Sequence, residues 1–152
     1  MPEDQRMHLL GDPVALDLLE STVPARLAYC WSDGTPRVVP IAFHWDGSVF
    51  TLGTPPRAPK VAALRADPHV ALTIDSNTFP YKVLQVRGEA ALTEHDDVVP
   101  EYEAAVLRYL GPEAGGAWLS QLRGRPMVKI TVTPQQVRIL DFVERFPSAL
   151  SA

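Results

Sequence analysis

Short runs of alternating apolar and polar residues, parted by Asp-Gly and proline-containing turns, dominate this chain. Asp12-Pro13 pairs a capping carboxylate with a proline suited to a first helical turn, and Val14, Leu18 and Leu19 then fall on one helical face. Ser21 to Pro24 ends that helix. A strand over Ala25–Ser32 reaches Asp33-Gly34, a return strand over Arg37–Trp45 reaches Asp46-Gly47, and a third strand covers Val49–Gly53. Two such Asp-Gly turns between apolar runs predict hairpins, and so a three-stranded meander. After the turn Thr54–Lys60 a helix opens at Pro59 and closes before Pro68, and Val70–Asp75 is the fourth strand. A polar and aromatic loop, Ser76–Tyr81, leads to the strand Val83–Leu92. Here Leu84, Val86, Gly88, Ala90 and Leu92 share one face and Gln85, Arg87 and Glu89 share the other. Helices are predicted over Val98–Leu110 and Glu113–Leu122, parted by Gly111-Pro112. Strands over Met127–Val132 and Gln136–Phe142, on either side of a Thr133-Pro134 turn, close the pattern, and the tail Glu144–Ala152 has no periodicity.

Strands grouped apart from helices argue for a mainly β fold and against a doubly wound parallel sheet. Six or seven antiparallel strands are most simply protected in a closed or nearly closed barrel with accessory helices. At 152 residues, with 46% hydrophobic and 21% charged side chains, the chain is expected to form a single domain over 1–152. A net charge of −4 speaks against general nucleic-acid binding. With no bilayer-length apolar run, an acidic start and the single cysteine Cys30, a cytoplasmic protein without a disulfide framework or membrane contact is expected.

Side-chain chemistry concentrates in one place. The turn Thr54-Pro55-Pro56-Arg57-Ala58-Pro59-Lys60 places a hydroxyl, a guanidinium and an ammonium at a helix entrance. Helix-start N–H groups lack intrahelical partners and favour anions, so the turn reads as a phosphate site or as a solvated surface turn. The face Gln85-Arg87-Glu89 reads either as solvated or as the lining of a polar ligand or subunit interface. Elsewhere there is no glycine-rich phosphate loop, no zinc-type spacing among His8, His44, His69 and His95, and no hydrolase triad. Cys30 reads as an inert mid-strand thiol, His44 as a barrel-wall residue, and Asp96, Asp97, Glu101 and Glu103 as surface charges. No catalytic side chain and no metal ligand is named; an enzyme built on this chain needs a cofactor for its chemistry.

Three segments in this order resemble the flavin-binding split-barrel family, which includes pyridoxamine 5′-phosphate oxidases and deazaflavin-dependent reductases. They are Gly34–Pro40, the turn Arg57–Lys60 leading into Leu64–Val70, and Gln85–Ala90. The resemblance covers Val14 to Phe142 and implies a split barrel that binds FMN, or alternatively coenzyme F420. It implies two-electron transfer to or from a small organic molecule, in a homodimer with cofactor sites at the interface. Lys60 and Arg57 would hold the cofactor phosphate with help from Thr54. Val39, Pro40 and Ile41 would offer main-chain bonds to the ring, Gln85 would approach the flavin, often from the second subunit, and Arg87 is a further match that a barrel-surface role suits equally. Pro59 stands where the oxidases carry arginine, and their arginine-rich C-terminal signature is missing from Arg123 to Ala152. The resemblance therefore points to the reductase branch rather than to vitamin B6 oxidation. An F420 tail would want further basic groups, for which Arg26 and Arg37 are the spares. A non-catalytic carrier or sensor of flavin or haem is the reading from another class, with His44 or His69 as haem ligands.

Overall fold

A computed structural model describes residues 1–145. Its elements are α1 (Glu3–Leu10), α2 (Pro13–Glu20), β1 (Ala25–Cys30), β2 (Pro36–Ile41), β3 (His44–Trp45), β4 (Phe50–Thr54), α3 (Pro59–Ala66), β5 (His69–Asp75), β6 (Lys82–His95), α4 (Pro100–Ser120) and β7 (Met127–Asp141). The strands form one antiparallel seven-stranded sheet in the order β2-β1-β5-β6-β7-β4-β3. The fold is mainly β, as the sequence pattern predicts. Of the tail, residues 146–152 lie outside the described residues.

Both Asp-Gly hairpins form. Asp33 Oδ1 accepts the Thr35 amide at 2.9 Å, and Asp46 Oδ1 accepts the Ser48 and Val49 amides at 2.8 Å each. The expected meander does not form. The strand predicted over Arg37–Trp45 breaks at Ala42-Phe43: β2 pairs with β1 alone, β3 pairs with β4, and the two become opposite edges of the sheet. Only Ala42 and Phe43 separate those edges in the chain. Three residue steps reach at most about 11 Å, so the sheet must roll until its edges nearly meet. The barrel stays split because no ladder joins β2 to β3. Phe43 is fully buried at this seam. Arg108 of α4 fastens it, donating to the Phe43 carbonyl at 2.8 Å and to the Ser21 carbonyl at 3.3 Å.

The other difference lies at Thr133-Pro134. Instead of a turn between two strands, β7 runs unbroken opposite β6, and the register shifts where Arg87 pairs with Gln136 and Gly88 with Pro134. The extra residue makes a β-bulge, a place where a proline without an N–H is tolerated in a ladder. Gly88 is required there, because a Cβ would collide with the Thr133 carbonyl oxygen.

Leu27, Phe50, Leu52, Leu72, Ile74, Leu84, Val86 and Ile130 fill the barrel, each 1% exposed or less. Val14, Ala15, Leu18 and Leu19 of α2 and Val61, Ala63 and Leu64 of α3 join the same cluster. Helix α4 packs outside on β3 and β4. The predicted break between its two halves is present, with Gly111 at φ +79° and ψ 174° ahead of Pro112. Helix α1, for which the sequence pattern gave no periodic signal, packs on β7. No helix among the described residues is long and apolar enough to cross a membrane.

The bulge gives a direct test. Gly88→Ala is expected to cost about 1–3 kcal/mol of stability, read as a lower urea midpoint. Gly116→Ala, where nothing lies within 4 Å of the added methyl, is expected to stabilise by up to about 1 kcal/mol.

Candidate functional site

The turn after β4 is built around a half-buried ammonium. Thr54 ends β4 with 2% exposure, and Lys60 Nζ donates to its Oγ1 at 3.1 Å. Burial lowers the Lys60 pKa from its ordinary 10.5, and no carboxylate among the described residues pairs with it. Arg57 stands exposed in the same turn, without an ion-pair partner among the described residues. Helix α3 begins with Ala58 as an N-cap that makes no side-chain hydrogen bond and with Pro59 in its first turn. Its N-terminus is less open than the sequence suggests. Pro59 has no N–H and the Val61 amide donates to the Ala58 carbonyl at 2.9 Å, which leaves the Lys60 amide as the free donor of the first turn. The turn thus carries one hydroxyl, two cations and one free amide, groups of the kind that bind an oxyanion.

Val39, Pro40 and Ile41 lie on the edge strand β2. Val39 and Ile41 turn their side chains to the core. The Trp31 amide donates to the Thr35 carbonyl at 2.8 Å, which fixes the alternation down this hairpin. Val39 and Ile41 then direct their backbone groups to Leu27 and Ala25 of β1, while Val38 and the Pro40 carbonyl face the open edge. Of the expected trio, Pro40 is the residue whose carbonyl is left on the open edge, next to Val38.

Gln85 and Arg87 lie elsewhere. Thr54 pairs with Val128, and Val128 with Glu94; Gln85 stands nine residues further along β6. That is about 30 Å measured along the strand. Both side chains line a cleft of about 530 Å³ on the outer face of β5, β6 and β7, together with Gln136 and Arg138. Within one chain, then, Thr54 and Lys60 are brought together, Arg57 lies in the same turn, and Gln85 and Arg87 stand far along β6 from them. Of the two spare arginines, Arg26 sits 3.6 Å from Asp75, and Arg37 donates to Thr35 Oγ1 at 2.6 Å and lies over the Trp31 ring.

Residues 12–141 match the sequence pattern of the pyridoxamine 5′-phosphate oxidase family. The chain belongs to this family. Among solved structures, an F420 reductase is 30% identical, with 80% of this chain and 94% of that one covered at a TM-score of 0.65. A conserved hypothetical protein from Mycobacterium tuberculosis is 21% identical, with 94% and 86% covered and a TM-score of 0.66. The heme storage protein HutZ from Vibrio cholerae is 18% identical, with 84% and 93% covered and a TM-score of 0.61. The last two likenesses establish the fold alone. Comparison with curated proteins gives no match.

Among the other polar groups of this family member, the two glutamates of α4 depart from expectation. Glu101 is no simple surface charge: its Oε1 accepts from Lys129 Nζ at 2.6 Å, which lowers its pKa, while Oε2 is buried without a partner. Glu103 pairs with Arg123 at 2.9 Å. Cys30 is half-buried and borders a second outer cleft of about 510 Å³. His44 is half-buried on β3. His69 is exposed, with Nδ1 2.7 Å from Asp67; that hydrogen bond raises its pKa. Among the described residues no three His, Cys, Asp or Glu side chains gather as a metal site. Gln136 and Arg138 went unnoticed in the sequence, although Gln-Val-Arg occurs at both 85–87 and 136–138. That repetition was the available signal, but the register of β7 was needed to use it.

Lys60 offers a stability test. A folded-state pKa below the unfolded one means that the charged form is penalised in the fold at neutral pH, and the penalty is relieved as pH rises toward 10.5. Lys60→Met is therefore expected to leave the urea midpoint at pH 7 unchanged or slightly raised, within about 0.5 kcal/mol. The difference from wild type should shrink in alkaline buffer.

Proposed function

We propose that this chain is a cytoplasmic, homodimeric flavin-dependent oxidoreductase that holds FMN by its phosphate at the Thr54–Lys60 turn. The observation that carries the reading is Lys60: a half-buried cation whose one hydrogen-bond acceptor is a neutral hydroxyl. A phosphate would supply the missing counter-charge. Lys60 Nζ and Arg57 would neutralise it, and the Lys60 amide would add a bond from the helix start, each charge-assisted bond being worth about 1.5–3 kcal/mol. Bound FMN supplies hydride or two-electron transfer to or from a small organic substrate. The open edge at Val38 and Pro40 would meet the ring with backbone groups. Gln85 and Arg87 lie too far along β6 from their own Lys60, so they would serve the site of the second subunit. A two-fold dimer would then complete both sites, and the partner would exclude water from them.

Coenzyme F420 is the second reading, supported by 30% identity to an F420 reductase over most of both chains. Its longer acidic tail would call on basic groups beyond the turn, and Arg26 and Arg37 are already engaged. On that ground we put FMN first.

Purified protein is expected to be yellow, with a flavin absorbance band and a native mass twice that of the chain. Lys60→Ala should bind FMN at least tenfold more weakly, about 1.4 kcal/mol, with little change in melting temperature. Unchanged FMN affinity in that variant refutes the phosphate site. Colourless protein that instead binds F420 in a fluorescence titration replaces FMN with the second reading.

A further inference from the structure

The β6–β7 ribbon ends in an aromatic cleft on the same strand face that carries Gln85. The Phe142 amide donates to the Tyr81 carbonyl at 3.0 Å, which extends the ladder one pair beyond Lys82 and Asp141. Leu84 and Val86 are buried in the core, so alternation puts Tyr81, Val83 and Gln85 on the opposite, outer side of the strand. Tyr81 stands four residue steps from Gln85, about 13 Å. The rings of Phe79 and Tyr81 meet edge to face, with 5.8 Å between centroids and 83° between planes. Together with Pro80 and Phe142 they line a cleft of about 350 Å³.

The loop holds these rings outward, Phe79 79% exposed and Tyr81 44%. Its own polar groups are engaged with one another. The Ser76 amide donates to the Lys82 carbonyl at 2.9 Å, while Ser76 Oγ donates to the Thr78 carbonyl at 3.2 Å and accepts the Lys82 amide at 3.1 Å. Among the described residues no charged side chain lines the cleft, and the adjacent Lys82 lies 3.6 Å from Glu144. A charged ligand group would lose its water there and find no partner, whereas an aromatic ring gains stacked or edge-to-face contact with both side chains.

We propose that Phe79 and Tyr81 of one subunit form an apolar wall of the second subunit's FMN site, where they select an uncharged aromatic substrate. In the reading above FMN sits at Lys60 and Gln85 crosses to the other subunit's cofactor, and the wall depends on both. A strand that carries Gln85 to that flavin carries the start of the same face with it, which sets the Phe79–Tyr81 pair at the mouth of the site. A flat, uncharged molecule then lies between the flavin and the two aromatic side chains.

Titration of the FMN-loaded full chain with 2-naphthol tests the wall, read by the long-wavelength charge-transfer absorbance of a ring stacked on a flavin. 2-Naphthol is expected to bind, and naphthalene-2-sulfonate at least tenfold more weakly. The double variant Phe79→Ala, Tyr81→Ala should weaken 2-naphthol at least tenfold and leave FMN affinity and native mass unchanged. Phe79→Ala alone provides the reading if the double variant fails to fold. A heterodimer of one Lys60→Ala subunit and one double-variant subunit, loaded at an FMN concentration that fills only the intact Lys60 site, should bind 2-naphthol with wild-type affinity at one site per dimer. Only a wall supplied across the interface pairs the two intact halves. Equal 2-naphthol affinity in the aromatic variants overturns the proposal while the FMN reading stands. So does a heterodimer without a wild-type site, or a sulfonate that binds as well as 2-naphthol. A chain ending at Arg145 that binds 2-naphthol at least tenfold more tightly assigns the cleft to residues 146–152, and a halved native mass in the aromatic variants assigns it to the subunit contact; either result overturns the wall. Unchanged FMN affinity in Lys60→Ala, measured before any 2-naphthol is added, refutes the phosphate site and the wall with it.

Discussion

The bend in the β6–β7 ribbon is the constraint on which the rest of the structure depends. These two strands pair from Lys82–Asp141 to His95–Met127, longer than any other ladder in the sheet. A straight ribbon of that length would leave β5 and β4 far apart on a flat sheet. The bulge at Gly88 raises the twist locally, so that one half of the ribbon carries β5, β1 and β2 and the other carries β4 and β3. Rolling brings the outer strands together at Ala42-Phe43, where a buried aromatic ring and Arg108 hold the seam.

The same bend separates the chemistry into two regions. At one end, the exit of β4 and the entrance of α3 hold Thr54 against Lys60. Toward the other end, the outer face of the ribbon gathers Gln85, Arg87, Gln136 and Arg138. Both regions are cationic in a chain whose net charge is −4, which makes their lack of counter-charge a local property rather than a consequence of composition. Lys60 carries the clearer physical signature, because its charge is partly desolvated and its single bonded acceptor is neutral. The arginines are exposed, and a repeated tripeptide places them diagonally across the strand pair.

Membership of the pyridoxamine 5′-phosphate oxidase family fixes the scaffold and leaves the reaction to the site. The turn departs from the oxidase pattern at Pro59, and the consequence is visible in the backbone. Proline removes one of the N–H groups that a helix start could give to a phosphate, and the Val61 amide is spent on Ala58. A phosphate bound there as we propose would therefore rest on the side chains of Lys60, Arg57 and Thr54 and on a single amide.

Local pattern was enough to determine much of this protein. Asp-Gly pairs marked both hairpins, Asp12-Pro13 and Gly111-Pro112 marked a helix start and a helix break, and alternation in β6 separated the buried valines from the glutamine and arginine. Such signals depend on backbone preference and on the two-residue period of a strand, which neighbouring residues carry by themselves. The nearness of Lys60 to Thr54 was legible for the same reason, since they stand six positions apart. Strand order was not legible, because nothing local in Arg37–Trp45 says that its halves must bond to different partners at opposite edges of a sheet. The bulge at Gly88 depends on the Thr133 carbonyl, and the partnership of Glu101 with Lys129 joins residues 28 apart. The two Gln-Val-Arg tripeptides stood in plain view in the sequence. Only the register of an antiparallel pair, set by burying Val86 against Val137, placed them side by side.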